Sequence, residues 1–350
     1  MLIEENKNVW QLLAESKKPN VLYGMGNAAE KITETLRSFG GEIIAVFASD
    51  EFVRGHSFMG YPVLKYSQVC EMYEDFNVVL GFATHLDSVL ENIKRINEKH
   101  AVYAPDIPVA GGGLFTLEYY REHESEFEKV YLALADEKSR EVYKNILNFK
   151  ISGKIEYLLK SHSDKDEVYR DILRLKDDEI IADLGAYDGD TIREFTAFTG
   201  GKYKHIYALE PDEKNFRKLR KNCGEMKDVT LYNAGAWSKR DTLIFAKKAG
   251  RNSKLSSEGV PVEVYDLDSL IDNVTMIKMD IEGSELKALE GAEKLIRACK
   301  PKLYICAYHR NEDLFALGEK ILSLGNYKLF FRQSKYIPAW ECNFYAVSND

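Results

Sequence analysis

Short apolar runs recur along this chain, each closed by a glycine or an acid and followed by residues with helical spacing. Residues 21–23, Val-Leu-Tyr, read as a buried strand, Gly24 and Gly26 supply a turn, and residues 28–37 a helix. A second strand at 42–47 runs into Asp50. A third, at 78–82, precedes a helical pattern over 86–96 and a short strand at 101–103. Strands and helices in alternation predict a parallel, doubly wound sheet. Gly111, Gly112 and Gly113 break the pattern. From Leu117 to about Leu159, residues such as Val142, Ile146 and Phe149 recur at helical spacing and predict a helical connector.

Alternation resumes near Glu179. Strands are expected at 180–183, 205–209, 229–233, 276–279 and 303–306, with helices between them. The last two runs, 327–331 and 343–347, have no helix between them and read as an antiparallel hairpin around a loop containing Pro338. That ending differs from a dinucleotide-binding domain. The expected organisation is a Rossmann-like domain at 1–110, a helical connector at 111–175 and a second α/β domain at 176–350.

Hydrophobic residues make up 45% and charged residues 30% of the chain, a globular balance rather than a disordered or membrane one. A net charge of −8 disfavours general affinity for nucleic-acid phosphates. Glu4 and Glu5 stand where a secretory signal would carry positive charge, and no apolar run reaches transmembrane length, so no membrane association is expected. The five cysteines show no Cys-x-x-Cys spacing, which predicts neither a zinc site nor a disulfide framework and suits a reduced, cytoplasmic setting.

The chemistry concentrates at 180–191, Ile-Ile-Ala-Asp-Leu-Gly-Ala-Tyr-Asp-Gly-Asp-Thr. Asp183 falls where the strand stops, Gly185 and Gly189 let the backbone turn tightly, and Asp190 or Thr191 can cap the next helix. Ligands of open α/β sheets sit beyond the carboxyl ends of the strands. An acid inside this loop would repel a pyrophosphate and suits a cationic ligand, such as the amino group and sulfonium of S-adenosylmethionine.

Further segments carry a family likeness. They are Asp183-Leu-Gly-Ala-Tyr-Asp-Gly-Asp-Thr191, Ala208-Leu-Glu-Pro-Asp212 with Asn215 and Phe216, and Val264-Tyr-Asp-Leu-Asp268. Ile277-Lys-Met-Asp-Ile-Glu-Gly-Ser-Glu285, Leu289-Glu-Gly-Ala292 and Tyr308-His-Arg-Asn-Glu-Asp-Leu314 follow in order. Together they resemble an FkbM-type S-adenosylmethionine-dependent methyltransferase over about half the chain. The resemblance implies a class I methyltransferase sheet for the second unit and O-methylation of a small-molecule hydroxyl, with a sugar or glycan as acceptor. Tyr23-Gly-Met-Gly-Asn27 and Arg54-Gly-His-Ser-Phe-Met-Gly-Tyr-Pro-Val63 resemble Rossmann-like modules attached to enzymes of nucleotide-sugar metabolism.

Asp183 and Gly185 are expected at the methionine half of the donor, with Ala186, Tyr187, Asp188 and Gly189 completing the loop; their plain alternative is a turn with a helix cap. Glu210, 25 residues after Gly185 at the end of the second strand, can accept from both ribose hydroxyls. Gly235 and Ala236 leave room for a flat adenine, and Trp237 is either its wall or a core aromatic. Tyr169, before the first strand, is where family members often place an aromatic residue near the donor. Glu285 reads as a helix-dipole acid. Asp280, Glu282 and His309 are the candidate bases for the acceptor hydroxyl, with His309 and Asp280 favoured and not separated. Oxygen ligands at Asp280 and Glu282 would suit Mg²⁺, but the resemblance requires no metal and none is expected.

Residues 248–258 are polar, and Arg251, Ser253 and Lys254 could recognise the acceptor as hydrogen-bond donors; most such loops are solvated connections. In the first unit Gly24-x-Gly26-x-x-Ala29 fits a loose dinucleotide fingerprint, and Asp50 could meet a ribose. The rival function is therefore an NAD-linked oxidoreductase or epimerase. Tyr61-Pro-Val-Leu-Lys65, the only Tyr-x-x-x-Lys, argues against a catalytic helix there because of Pro62. The first unit is left to bind a nucleotide-sugar, to position the acceptor, or to pair with a second copy of the chain.

Overall fold

A computed structural model describes residues 2–26, 28–108, 110–245 and 259–349. The first sheet is built from β1 (Asn20–Tyr23), β2 (Ala45–Ala48), β3 (Ser57–Phe58), β4 (Tyr61–Lys65), β5 (Asn77–Leu80) and β6 (Val102–Tyr103). Their order is β3-β4-β2-β1-β5-β6, parallel except for the two-residue β3. Every residue of β1, β2 and β5 is buried, as expected where helices cover both faces of a parallel sheet. Helices Ala29–Ser38 and Asp87–Asn97 supply that cover through Ile32 and Leu36, and through Leu90, Ile93 and Ile96. Pro62 lies in β4, a strand rather than a helix, opposite Ser57 of the short edge.

The connector is helical over Leu117–Glu122, Glu124–Ala133, Glu137–Ser152 and Ile155–Ser161. Helix Glu137–Ser152 buries Val142, Ile146 and Phe149. Its first turn is capped by Asp136, whose carboxylate accepts from the Ser139 N–H at 2.7 Å. The helix stops at Gly153, whose left-handed φ of 66° an L side chain rarely adopts.

The later strands are β7 (Ile180–Leu184), β8 (His205–Leu209), β9 (Val229–Tyr232), β10 (Gly235–Ala236), β11 (Asp241–Phe245), β12 (Val260–Tyr265), β13 (Met276–Met279), β14 (Lys302–Cys306), β15 (Tyr327–Gln333) and β16 (Cys342–Ser348). Seven form one sheet in the order β15-β16-β14-β13-β7-β8-β9. All neighbours are parallel except that β16 runs against both β14 and β15. The expected α/β class, with two Rossmann-like sheets and a closing antiparallel hairpin, is borne out. A small sheet, β10-β12-β11, was not anticipated from the sequence.

One hydrophobic core runs without a break from the first sheet through the connector helices to one face of the second sheet. Polar contacts reinforce the junction. Thr84 and Ile337 exchange backbone hydrogen bonds at 2.8 and 3.0 Å, and the Ala110 N–H donates to the His309 carbonyl at 3.1 Å. Strand order in the second sheet reverses between β7 and β13, so a crevice opens beyond their carboxyl ends.

Candidate active site

The crevice is a cleft lined by residues in or just beyond β7, β8, β10, β13 and β14. Gly185 leaves β7 with φ +82°, and a Cβ there would lie 1.9 Å from the Asp280 carbonyl oxygen. Only glycine lets the loop pass this close to the end of β13. Tyr187 follows with φ 48° and aims its N–H at Glu210 Oε2, 2.9 Å away. Glu210 Oε1 accepts from the Asp212 N–H, also at 2.9 Å. Each carboxylate oxygen therefore keeps a second lone pair for a ligand in the cleft. Burial pushes the Glu210 carboxyl up to about 7, against the pull of those two N–H donors.

The expected donor loop divides in two. Gly185, Tyr187, Glu210, Gly235 and Ala236 line the cleft together. Asp183 does not: its carboxylate is fully buried and lies 3.2 Å from the Lys278 ammonium. Burial pushes the Asp183 carboxyl up, against the pull of that ammonium. Burial also opposes the Lys278 charge, but Asp183 and Asp280 outweigh it and hold the lysine above its ordinary value. Lys278 is the side chain that reaches the cleft, with its ammonium 3.3 Å from the Gly185 carbonyl. Asp183 therefore lies behind Lys278 rather than on the cleft wall.

Five other expected donor residues lie off the cleft. Ala186 is buried in the core, and Gly189 forms the N-cap of helix Asp190–Phe198 at φ 86°, where a Cβ would meet Cys223 Sγ at 2.5 Å. No side chain caps that helix, so Asp190 and Thr191 lie inside it and line the cleft instead. Asp188 turns outward to Arg193 at 3.0 Å. Trp237 extends the small sheet by donating its N–H to the Tyr265 carbonyl and is not part of the cleft wall. Tyr169 is 1% exposed between Phe195 and Phe198, and its hydroxyl donates to Glu194, which does line the cleft. Ser253 and Lys254 lie outside the described residues, as does the whole 248–258 loop.

Across the cleft, Asp280 ends β13 and accepts from the Tyr308 hydroxyl at 3.0 Å. Burial alone would raise its pKa, but His309, Lys278 and Tyr308 hold the carboxylate well below its ordinary value. Glu282 stands beside it with φ 56°, and both face the cleft. His309 does not. Its ring is shut from solvent, with Nε2 3.3 Å from Asp280 and 3.8 Å from Glu282, and Nδ1 3.0 Å from Glu285. Burial disfavours its charge, yet Glu285 and Asp280 raise the imidazole well above its ordinary value. The expectation that His309 itself takes the acceptor proton is corrected: its ring is walled off from the cleft by Asp280. Glu285, expected to serve only the helix dipole, is fully buried against His309.

Sequence reasoning missed Lys165, Glu194, Tyr304 and Glu341, which complete the far wall. Their sequence neighbourhoods carry no motif; they meet because β16 folds back beside β14. Asp190, Glu194, Glu210, Asp280, Glu282 and Glu341 oppose Lys165 and Lys278, so the cleft is net acidic and suits a cationic ligand.

The glycine turn of the first sheet is differently built. A Cβ on Gly24 would lie 2.3 Å from the Phe82 ring, so this turn packs directly against that side chain. Asp50 is exposed, with Lys65 3.9 Å away.

Residues 183–331 match the family model described as the Methyltransferase FkbM domain. The whole chain is similar in fold to the crystal structure of Methyltransferase FkbM from Methylobacillus flagellatus KT, with a TM-score of 0.74, 23% identity, and coverage of 99% of this chain and 94% of that one. An rRNA methylase from Streptococcus thermophilus covers 53% of this chain and 95% of its own at 16% identity and a TM-score of 0.36. Aeropyrum pernix fibrillarin with natively bound S-adenosyl-L-methionine covers 52% and 73% at 13% identity and a TM-score of 0.35. No curated protein matches the chain.

Proposed function

Because this chain carries an FkbM methyltransferase domain and is thus an S-adenosylmethionine-dependent methyltransferase, we propose that it methylates a hydroxyl oxygen of a small polyol such as a sugar or glycan. The observation that carries the reading is the net-acidic wall of the cleft, which offers many acceptors and few donors to whatever binds there. Carboxylates at this density suit a ligand rich in O–H donors and a positively charged donor, and they disfavour phosphate chains.

The donor fits the β7–β8–β10 side. Gly185 keeps the backbone close, Glu210 receives ribose hydroxyls, and Gly235 with Ala236 leaves a flat slot for the base. When bound, S-adenosylmethionine supplies a methyl group on a sulfonium. The chain's own contribution is alignment and proton removal. Asp280 or Glu282 accepts the hydrogen bond of the acceptor hydroxyl and so aims its lone pair at the methyl carbon. Methyl transfer would leave the C–S electron pair on sulfur as the C–O bond formed, and Asp280 or Glu282 would take the hydroxyl proton. An oxygen that is gaining a methyl group becomes strongly acidic, so even a carboxylate held below its ordinary pKa can take that proton. Such a positioned base contributes roughly 10²–10⁴-fold.

The test is release of S-adenosylhomocysteine in a panel of sugars, nucleotide-sugars, amines and carboxylic acids. Turnover with a polyol, reduced at least tenfold in Asp280→Asn, supports the reading. Turnover confined to amines or carboxylates refutes hydroxyl methylation.

A further inference from the structure

Two carboxylates and one imidazole converge behind the cleft floor. Asp280 comes from the end of β13, Glu285 from the first turn of helix Glu285–Glu290, and His309 from the segment after β14. His309 and Glu285 are fully buried. Neither ring nitrogen of His309 makes a hydrogen bond of acceptable geometry, and the same is true of Glu285 Oε2. Burying polar atoms that lack well-aligned hydrogen bonds is unfavourable even where oppositely charged groups stand close. Several such atoms facing one another point to a missing ligand rather than to separate defects.

The donors are arranged for a cation. One ligand atom each from Asp280, Glu285 and His309 lies within 4.8 Å of the other two, so small side-chain shifts close the set around a single ion. The surrounding backbone is fixed: the Arg310 guanidinium donates to the Gly283 carbonyl at 2.8 Å, and the Ala110 N–H holds the His309 carbonyl. From this geometry we infer that Asp280, Glu285 and His309 bind a divalent transition-metal ion whose open coordination positions face the cleft. One imidazole with two carboxylates suits Mn²⁺, Fe²⁺ or Zn²⁺. Asp280 is the only one of the three on the cleft wall, so the ion sits at the inner end of the acceptor side. The role of the ion rests on the methyl-transfer reading above. There it takes the acceptor oxygen as a further ligand, lowering the charge that builds on it, while Glu282 receives the hydroxyl proton.

Mn²⁺ is the probe. Protein stripped with EDTA is titrated with Mn²⁺ and followed by loss of the free-ion electron paramagnetic resonance signal, with thermal unfolding measured in parallel. One ion per chain, a higher Tm and at least tenfold weaker binding in Glu285→Gln are expected, whereas Glu194→Gln in the same acidic cleft keeps full affinity. Spin-echo spectra of wild-type protein with Mn²⁺ should show coupling to an imidazole nitrogen, a readout that needs no variant to fold. Failure to bind Mn²⁺, or an oxygen-only coordination sphere, overturns the site and leaves His309 as a positioning residue for Asp280. S-adenosylhomocysteine release that is undiminished in stripped protein removes the ion from the reaction while leaving the methyl-transfer reading intact.

Discussion

At the scale of single residues, Glu210 carries the sharpest prediction. Its two oxygens already hold the Tyr187 and Asp212 N–H groups and still face the cleft, so removing it loses a charge-assisted contact and unsettles the loop. Glu210→Ala is expected to weaken S-adenosylmethionine binding more than tenfold by calorimetry; unchanged affinity would sink the assignment. The same residue gives a pH effect with a defined sign. Burial raises its folded-state pKa from the ordinary 4.5 to about 7. Between those values the folded state binds more protons than the unfolded one, so its contribution to stability falls as pH rises through this window. Donor binding needs the ionised form and moves oppositely, weakening as pH drops from 8 to 6. Glu210→Gln should flatten both trends, and a Gln variant that keeps the wild-type pH profile would show another group responsible.

Gly185 is a backbone case. Its positive φ and the 1.9 Å approach of a Cβ to the Asp280 carbonyl mean that Gly185→Ala must push β7 and β13 apart. Left-handed strain alone costs about 1–3 kcal/mol. Urea unfolding should show at least a loss of that order, with donor affinity falling as well. A variant within 0.5 kcal/mol of wild type, roughly the scatter of ordinary surface substitutions, would mean that the loop has more freedom than its contacts imply.

At the scale of elements, helix Glu137–Ser152 ties the connector to the second sheet. Asp136 caps it and also pairs with Arg332 of β15, with Oδ2 2.6 Å from the guanidinium, while Arg332 is only 4% exposed. Burial would raise the Asp136 pKa, but Arg332 and Ser139 outweigh it and bring it down to about 2. The stabilisation this represents is present above the unfolded value of 3.8 and is lost as pH falls towards 2. Asp136→Ala removes a cap worth about 1 kcal/mol and strands a buried guanidinium, so the loss should exceed that of capping alone. Asp136→Asn keeps the cap and loses the charge, and should fall between the two in thermal unfolding. Equal Tm values for Ala and Asn would show that only the charge matters.

At the scale of the whole molecule, the continuous core and the Thr84–Ile337 and Ala110–His309 contacts make the first unit part of the support for the cleft. The protein is therefore expected to unfold in one calorimetric transition, and two resolved peaks would separate the units. No helix among the described residues is long and apolar enough to cross a membrane.

Much of this was legible in the chain. Short apolar strands closed by glycine or acid, alternating with helices, predict both parallel sheets, because a strand buried on both faces must be apolar throughout. The missing helix before residue 343 predicts the hairpin for the same kind of reason. Gly185, Glu210, Asp280 and Glu282 are visible because strand ends in such a sheet are where ligands sit. What the tertiary structure alone decided is which acids reach the cleft and in what state. Asp183 and Lys278 pair across two strands, His309 is sealed behind Asp280 by Glu285, and Lys165 arrives from the connector while Glu341 comes from the closing hairpin. Local sequence sets backbone preference and which side chains are apolar, whereas burial and charge pairing depend on partners far away along the chain, and those exist only once the sheet has closed.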